Sequence, residues 1–196
     1  MRRYDLAQTI NLLQKKQISL FSLIDFKRLF SIQNKETLYK KIARLEKKKI
    51  IKKLVKGRYV FLLNQPDDFL IANYLYQPSY ISLETALSFY GIITGFSYQI
   101  TSITPKKTKK IVIDEKEFSY TQISSAFFWG YEKKDSFLIA EKEKAFLDYL
   151  YLYTKGLRSF DEKEFNLKEI DRKKLLFYGK KFKNKKLLSI IKKYVD

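Results

Sequence analysis

Asn34-Lys35-Glu36-Thr37-Leu38-Tyr39-Lys40-Lys41-Ile42-Ala43-Arg44-Leu45-Glu46-Lys47-Lys48 reads as one helix with two unlike faces. Leu38, Ile42 and Leu45 recur at helical spacing and form an apolar stripe. At about 100° per residue, Thr37, Lys40, Arg44, Lys47 and Lys48 gather on the opposite side. Asn34 supplies the side-chain acceptor that favours a helix start. The helix is followed by Ile50-Ile51-Lys52-Lys53-Leu54-Val55, then Lys56-Gly57, then Arg58-Tyr59-Val60-Phe61-Leu62. Two β-rich runs around a glycine turn predict a hairpin.

Working back toward the N-terminus, Leu6, Ile10 and Leu13 predict a first helix from Asp5 to Lys16. Ile18-Ser19-Leu20 reads as an extended link. Ser22-Leu23-Ile24-Asp25 resembles a capping box with a shortened acid and opens a second helix that runs to Phe30. The order helix, helix, short turn, helix, hairpin is that of a winged helix-turn-helix, whose recognition helix lies in the major groove. The expected double-stranded DNA contacts are then Thr37, Tyr39, Lys40, Lys41, Arg44, Lys47 and Lys48 on the third helix. Lys52, Lys53, Lys56 and Arg58 would charge the wing. Lysines there neutralise phosphates, and Arg44 has the fork that reads a guanine edge.

Charge distribution points the same way. The chain has 196 residues, 40 Lys and Arg, 21 Asp and Glu, and a net charge of +19. Residues 1–65 hold 17 basic and 4 acidic residues, residues 66–160 hold 11 of each, and residues 161–196 hold 12 and 6. A general enrichment in lysine does not explain a neutral middle beside a basic head. Such a charge speaks about partners, nucleic acid first and an anionic membrane second. The chain has neither cysteine nor histidine. That excludes disulfides, Cys/His zinc sites, cysteine nucleophiles and Ser-His-Asp triads. The longest uncharged run, Thr85 to Pro105, is too polar to span a membrane, and no signal-like segment follows Met1. A cytoplasmic location is expected.

Gln65-Pro66-Asp67-Asp68 marks the expected boundary between domains 1–65 and 66–196. Beyond it, the spacing predicts helices over 69–76, 82–90 and 140–153. Strands are expected over 99–104, 110–113, 118–123 and 137–139, and two basic amphipathic helices over 168–195. The expected class is α+β, with a mainly antiparallel sheet and C-terminal helices. In the tail, lysines at 180, 181, 183, 185, 186, 192 and 193 flank Leu187, Leu188, Ile190 and Ile191. A helix packed on the sheet with an auxiliary electrostatic role is favoured there over membrane association.

Three segments carry a resemblance. Tyr80-Ile81-Ser82-Leu83-Glu84-Thr85-Ala86-Leu87-Ser88-Phe89-Tyr90-Gly91-Ile92-Ile93 resembles the "Y-I-S-x-x-S-A-L-x-x-Y-G-L-I" signature of the AbiEi family of antitoxins. Ile103-Thr104-Pro105-Lys106-Lys107-Thr108-Lys109 is similar to that family's strand and Thr/Lys turn. Ala140-Glu141-Lys142-Glu143-Lys144-Ala145-Phe146-Leu147-Asp148-Tyr149-Leu150-Tyr151 resembles its "A-x-x-E-K-A-x-x-D-x-x-Y" helix. Thr85 stands where the signature has serine and keeps the hydroxyl. The resemblance implies a non-enzymatic regulator without cofactor or metal, binding repeats in its own promoter. It also implies that the C-terminal domain counters a nucleotidyltransferase-like toxin, often without a stable complex.

Within these segments Ala86, Leu87, Tyr90, Ala145, Leu147 and Tyr151 are expected in the core. Glu143, Lys144 and Asp148 are the antitoxin-domain candidates, although Lys144 and Asp148 also fit a helix-surface pair at i,i+4. The alternative is a metal-dependent DNA nuclease, since Asp114 followed by Glu132-Lys133-Lys134 imitates an Asp…Glu-x-Lys core. Asp114 reads as a turn residue, and 132–135 as a solvated loop. Phe127, Phe128 and Trp129 could stack on bases, or serve the core.

Overall fold

The computed structural model describes residues 5–95 and 98–195. The chain divides into two compact units, residues 1–75 and 76–196.

The first unit holds helices α1 (Leu6–Lys15), α2 (Leu23–Leu29), α3 (Lys35–Lys47) and α4 (Asp68–Leu75). Its strands are β1 (Leu20–Ser22), β2 (Ile51–Val55) and β3 (Arg58–Phe61), in the antiparallel order β1-β3-β2. Local chemistry accounts for most of the boundaries. Asp5 and Gln8 close a capping box on α1, with Asp5 accepting from the Gln8 amide at 2.8 Å. The Ser22–Asp25 box is present as expected, with its two backbone bonds at 3.1 and 2.9 Å. Asn34 accepts from the Thr37 amide at 3.0 Å. Each cap satisfies amides that the first helical turn leaves without carbonyl partners. Gly57 turns the β2–β3 hairpin at φ +75°, a conformation costly for any residue with a Cβ.

Two features differ from expectation. The segment read as a link contributes a strand, β1, whose Leu20 faces Val60. The unit also extends past Gln65, because α4 belongs to it. The Arg58 guanidinium lies over the Tyr74 ring at 5.0 Å, a contact that holds α4 to β3. The core gathers Leu13 of α1, Phe26 and Phe30 around α2, the Leu38/Ile42/Leu45 stripe of α3, and Phe61 of β3.

The second unit is built on a six-stranded sheet. Its strands are β4 (Tyr80–Ile81), β5 (Gln99–Thr104), β6 (Lys109–Ile113), β7 (Lys116–Gln122), β8 (Tyr131–Lys134) and β9 (Phe137–Ala140). Their order is β6-β7-β5-β4-β9-β8. The β6–β7, β5–β4 and β9–β8 pairs are antiparallel, while β5–β7 and β4–β9 are parallel. The α+β class holds, and the sheet expected to be mainly antiparallel has three antiparallel and two parallel pairings. Residues 132–134, expected in a loop, belong to edge strand β8, with its charges facing out. Helices α5 (Leu83–Phe89), α6 (Lys142–Thr154), α7 (Arg172–Lys181) and α8 (Lys185–Val195) complete the unit. Helix α6 is the centre of it. Ala145, Phe146, Leu147 and Leu150 are fully buried, and α7 and α8 pack on the same helix. Gly179 of α7 is buried where a Cβ would come within 2.5 Å of the Ile191 side chain of α8. Among the described residues, no helix is long and apolar enough to cross a membrane.

Candidate functional site

In the first unit, burial of Leu38, Ile42 and Leu45 turns the other side of α3 outward. Thr37, Tyr39, Lys40, Arg44, Lys47 and Lys48 are all exposed, as are Lys53 and Lys56 on the hairpin. Tyr39 keeps 48% of its surface open. Lys40 meets Glu36 at 2.6 Å, but both ends of that pair lie in solvent. An exposed i,i+4 pair contributes little, so a phosphate can displace the carboxylate. A groove of about 260 Å³ runs between the start of α1 and α3, lined by Thr9, Thr37, Lys40, Lys41 and Arg44.

Three of the expected contacts are less available. Lys41 is half-buried with its ammonium 4.7 Å from the centre of the Phe30 ring. Burial lowers its pKa, against the attraction of Asp5. Arg58 is half-buried on Tyr74, whose hydroxyl burial pushes up to about 12. Lys52 is also half-buried. Lys41 and Arg58 each lie over an aromatic ring of their own unit.

The second unit contains a different constellation. Lys144 and Asp148 stand one turn apart on α6, both with 0% exposure, and form an ion pair. The surface pair that their spacing allows is therefore not what forms. Asp148 also accepts from the Tyr80 hydroxyl and the Ser82 hydroxyl, each at 3.0 Å. Lys144 donates a second bond to the Tyr80 oxygen at 2.8 Å. Its ammonium lies 5.1 to 5.4 Å from the ring centres of Trp129, Tyr80 and Phe182. Burial drives Lys144 down and Asp148 up, toward neutrality, and the charge of each partner opposes this. The Tyr80 hydroxyl is held far above its ordinary value by burial and by Asp148.

Thus Tyr80-Ile81-Ser82 and the Lys144…Asp148 helix, remote in sequence, are two halves of one buried network. Neither Tyr80 nor Ser82 is among the expected site residues. The signal for them is a tyrosine and a serine in a segment otherwise apolar enough for a core. With every member sealed from solvent, the network joins β4 and the start of α5 to α6.

Glu143 is 5% exposed and also bonded within the unit. One oxygen accepts from the Asp171 amide at 3.1 Å, at the start of α7, and the other meets Lys174 at 3.2 Å. Burial works against the Lys174 charge, but bonds to Glu141 and Glu143 hold its pKa above the ordinary value. Of the six residues expected in the core, Ala86, Leu87, Ala145 and Leu147 are fully buried, while Tyr90 and Tyr151 are half-buried.

Asp114 lies in the turn after edge strand β6, and Glu132, Lys133 and Lys134 lie on β8, the opposite edge. Five strand spacings separate those edges, about 24 Å, so the nuclease-like spacing does not become a site. Among the described residues, no three acidic groups gather where a metal could bind. Phe127 stacks on Phe182 at 4.8 Å, Phe128 lies 5.1 Å from Tyr80, and Trp129 meets Tyr178 at 5.0 Å. All three aromatics pack within the unit. No family model matches the chain, and no curated protein sequence matches it.

Proposed function

We propose that the first unit is a winged helix-turn-helix that binds double-stranded DNA, with α3 in the major groove and the β2–β3 hairpin as the wing. The observation that carries this reading is the sorting of α3. Leu38, Ile42 and Leu45 are buried, and Lys40, Arg44, Lys47 and the capping Lys48 all face solvent. In this reading Arg44 and Thr37 take base edges, and the lysines take phosphates. The second unit's resemblance to AbiEi antitoxins extends the reading. The protein represses its own operon in the cytoplasm, and its second unit counters a nucleotidyltransferase-like toxin.

The test is a footprint on the DNA upstream of its own gene, beside a scrambled duplex, across a salt series. Discrete protected repeats are expected. With the exposed Lys40, Lys47, Lys48, Lys53 and Lys56 each meeting a phosphate, log affinity should fall against log salt with a slope of about −4.5. Arg44→Ala should weaken operator binding while leaving rescue from the co-expressed toxin intact. Equal binding to both duplexes, unaffected by Arg44→Ala, would refute the recognition-helix assignment. Loss of rescue in a folded Arg44→Ala protein would refute the division of labour.

A further inference from the structure

Helices α7 and α8 carry a second basic surface, independent of α3. Residues 172–195 contain ten Lys and Arg and no Asp or Glu. Lys174 is engaged by Glu141 and Glu143, and the other nine are exposed. Within this field stands an aromatic side chain, Phe177, with 60% of its surface in solvent. On α7, Lys173, Phe177, Lys180 and Lys181 follow the i, i+4, i+7, i+8 spacing of a single stripe. The Lys181 ammonium sits 4.6 Å from the Phe177 ring centre, 4.9 Å from Trp129 and 5.1 Å from Tyr178. Trp129 and Tyr178 meet edge to face beside it.

One exposed phenylalanine is ordinary. A phenylalanine beside half-buried aromatics, with the Lys181 ammonium over its ring and Lys173 and Lys180 on its stripe, matches a more specific ligand. Lipid is a poor fit. Leu187 and Ile191 of α8 are fully buried, so the helix has no free apolar face to insert, as a surface-bound amphipathic helix must. Duplex DNA satisfies the lysines but keeps its base faces stacked away from Phe177. A single strand offers both components, closely spaced phosphates and an unstacked base.

We propose that the α7–α8 surface binds single-stranded nucleic acid, with Lys173, Lys180 and Lys181 on phosphates and one base stacked on Phe177. The test measures fluorescence anisotropy of the full-length protein with labelled oligouridine, oligothymidine and a hairpin duplex. Flotation with phosphatidylglycerol-containing vesicles runs alongside. Both single strands should bind. Phe177→Ala should weaken them by about ten-fold, and Phe177→Tyr should retain most of the affinity. Arg44→Ala should leave single-strand binding unchanged, which separates this site from the α3 surface. Lys173→Ala with Lys180→Ala should flatten the salt slope by about 1.4. Absence of single-strand binding would overturn the proposal. So would equal binding by wild-type and Phe177→Ala proteins, which would leave a merely electrostatic surface. Phe177-dependent capture by vesicles without single-strand binding would replace it with a membrane contact.

Discussion

Replacing Asp148 by asparagine removes one charge from the centre of the second unit and little else. The new side-chain amide would keep an oxygen for the Tyr80 and Ser82 hydroxyls, which now donate at 3.0 Å each. Lys144, with 0% exposure, would lose its counter-ion. Breaking one side of a buried pair costs about 3–5 kcal/mol, against about 0.3–0.5 kcal/mol for an exposed i,i+4 pair. The two figures are an order of magnitude apart, so the measurement discriminates.

The pH dependence gives a second, signed test. In D148N, burial acts on Lys144 without opposition, and its folded pKa falls further below the ordinary value of 10.5. Between those two values the unfolded chain binds one more proton than the folded chain. Stability then rises with pH, at up to about 1.4 kcal/mol per unit. In K144M, Asp148 is left alone and burial raises it above 3.8. The folded chain now holds the extra proton, so stability falls as pH rises from 3.8 through the raised value. The double variant, K144M with D148N, keeps the Tyr80 and Ser82 bonds and puts a thioether among the aromatic rings. It should return to within about 1–2 kcal/mol of wild type.

The assay is urea denaturation at several pH values, followed by fluorescence of Trp129. This is the single tryptophan of the chain, and its ring lies 5.1 Å from the Lys144 ammonium. Both single variants costing under about 1 kcal/mol, with parallel pH profiles, would refute the buried-pair reasoning and restore a solvated surface pair.

Gly130→Ala tests the same site sterically. At φ +72° its Cβ would come within 3.0 to 3.2 Å of the Lys144 stem, so a loss of about 1–3 kcal/mol is expected in the Trp129 transition. Ser22→Ala removes the N-cap of α2 and should cost the first unit about 1 kcal/mol by hydrogen exchange of α2 amides, leaving the Trp129 midpoint in place. Glu143→Ala leaves the Asp171 amide without its acceptor and should cost about 1–3 kcal/mol. The loss should appear first as increased hydrogen exchange in α7, and unchanged α7 exchange would count against the docking role.

Local chemistry was legible in the sequence. The Ser22–Asp25 box, the Asn34 cap, the Lys56-Gly57 turn and the two faces of α3 each depend on residues within one or two turns of one another. Their readings therefore survive without knowledge of the rest of the chain. The class of the second unit was also legible, since its long strands and helices carry their own periodicity. Short strands were not. β1 and β4, with three and two residues, have too little pattern to announce themselves and exist because neighbouring strands receive their hydrogen bonds. The parallel β5–β7 and β4–β9 pairs are likewise tertiary results.

The sharpest divide lies at Glu143, Lys144 and Asp148. By itself, the sequence determined that Lys144 and Asp148 share a helix face, because four residues make about one turn. It could not determine whether that face meets water. Tyr80, Ser82, Trp129 and Phe182, brought from segments far along the chain, close over the pair and turn a weak surface interaction into a buried one. Only the tertiary structure decides this, because the strength of a charge pair depends on the dielectric around it, and that is a property of every segment packed nearby.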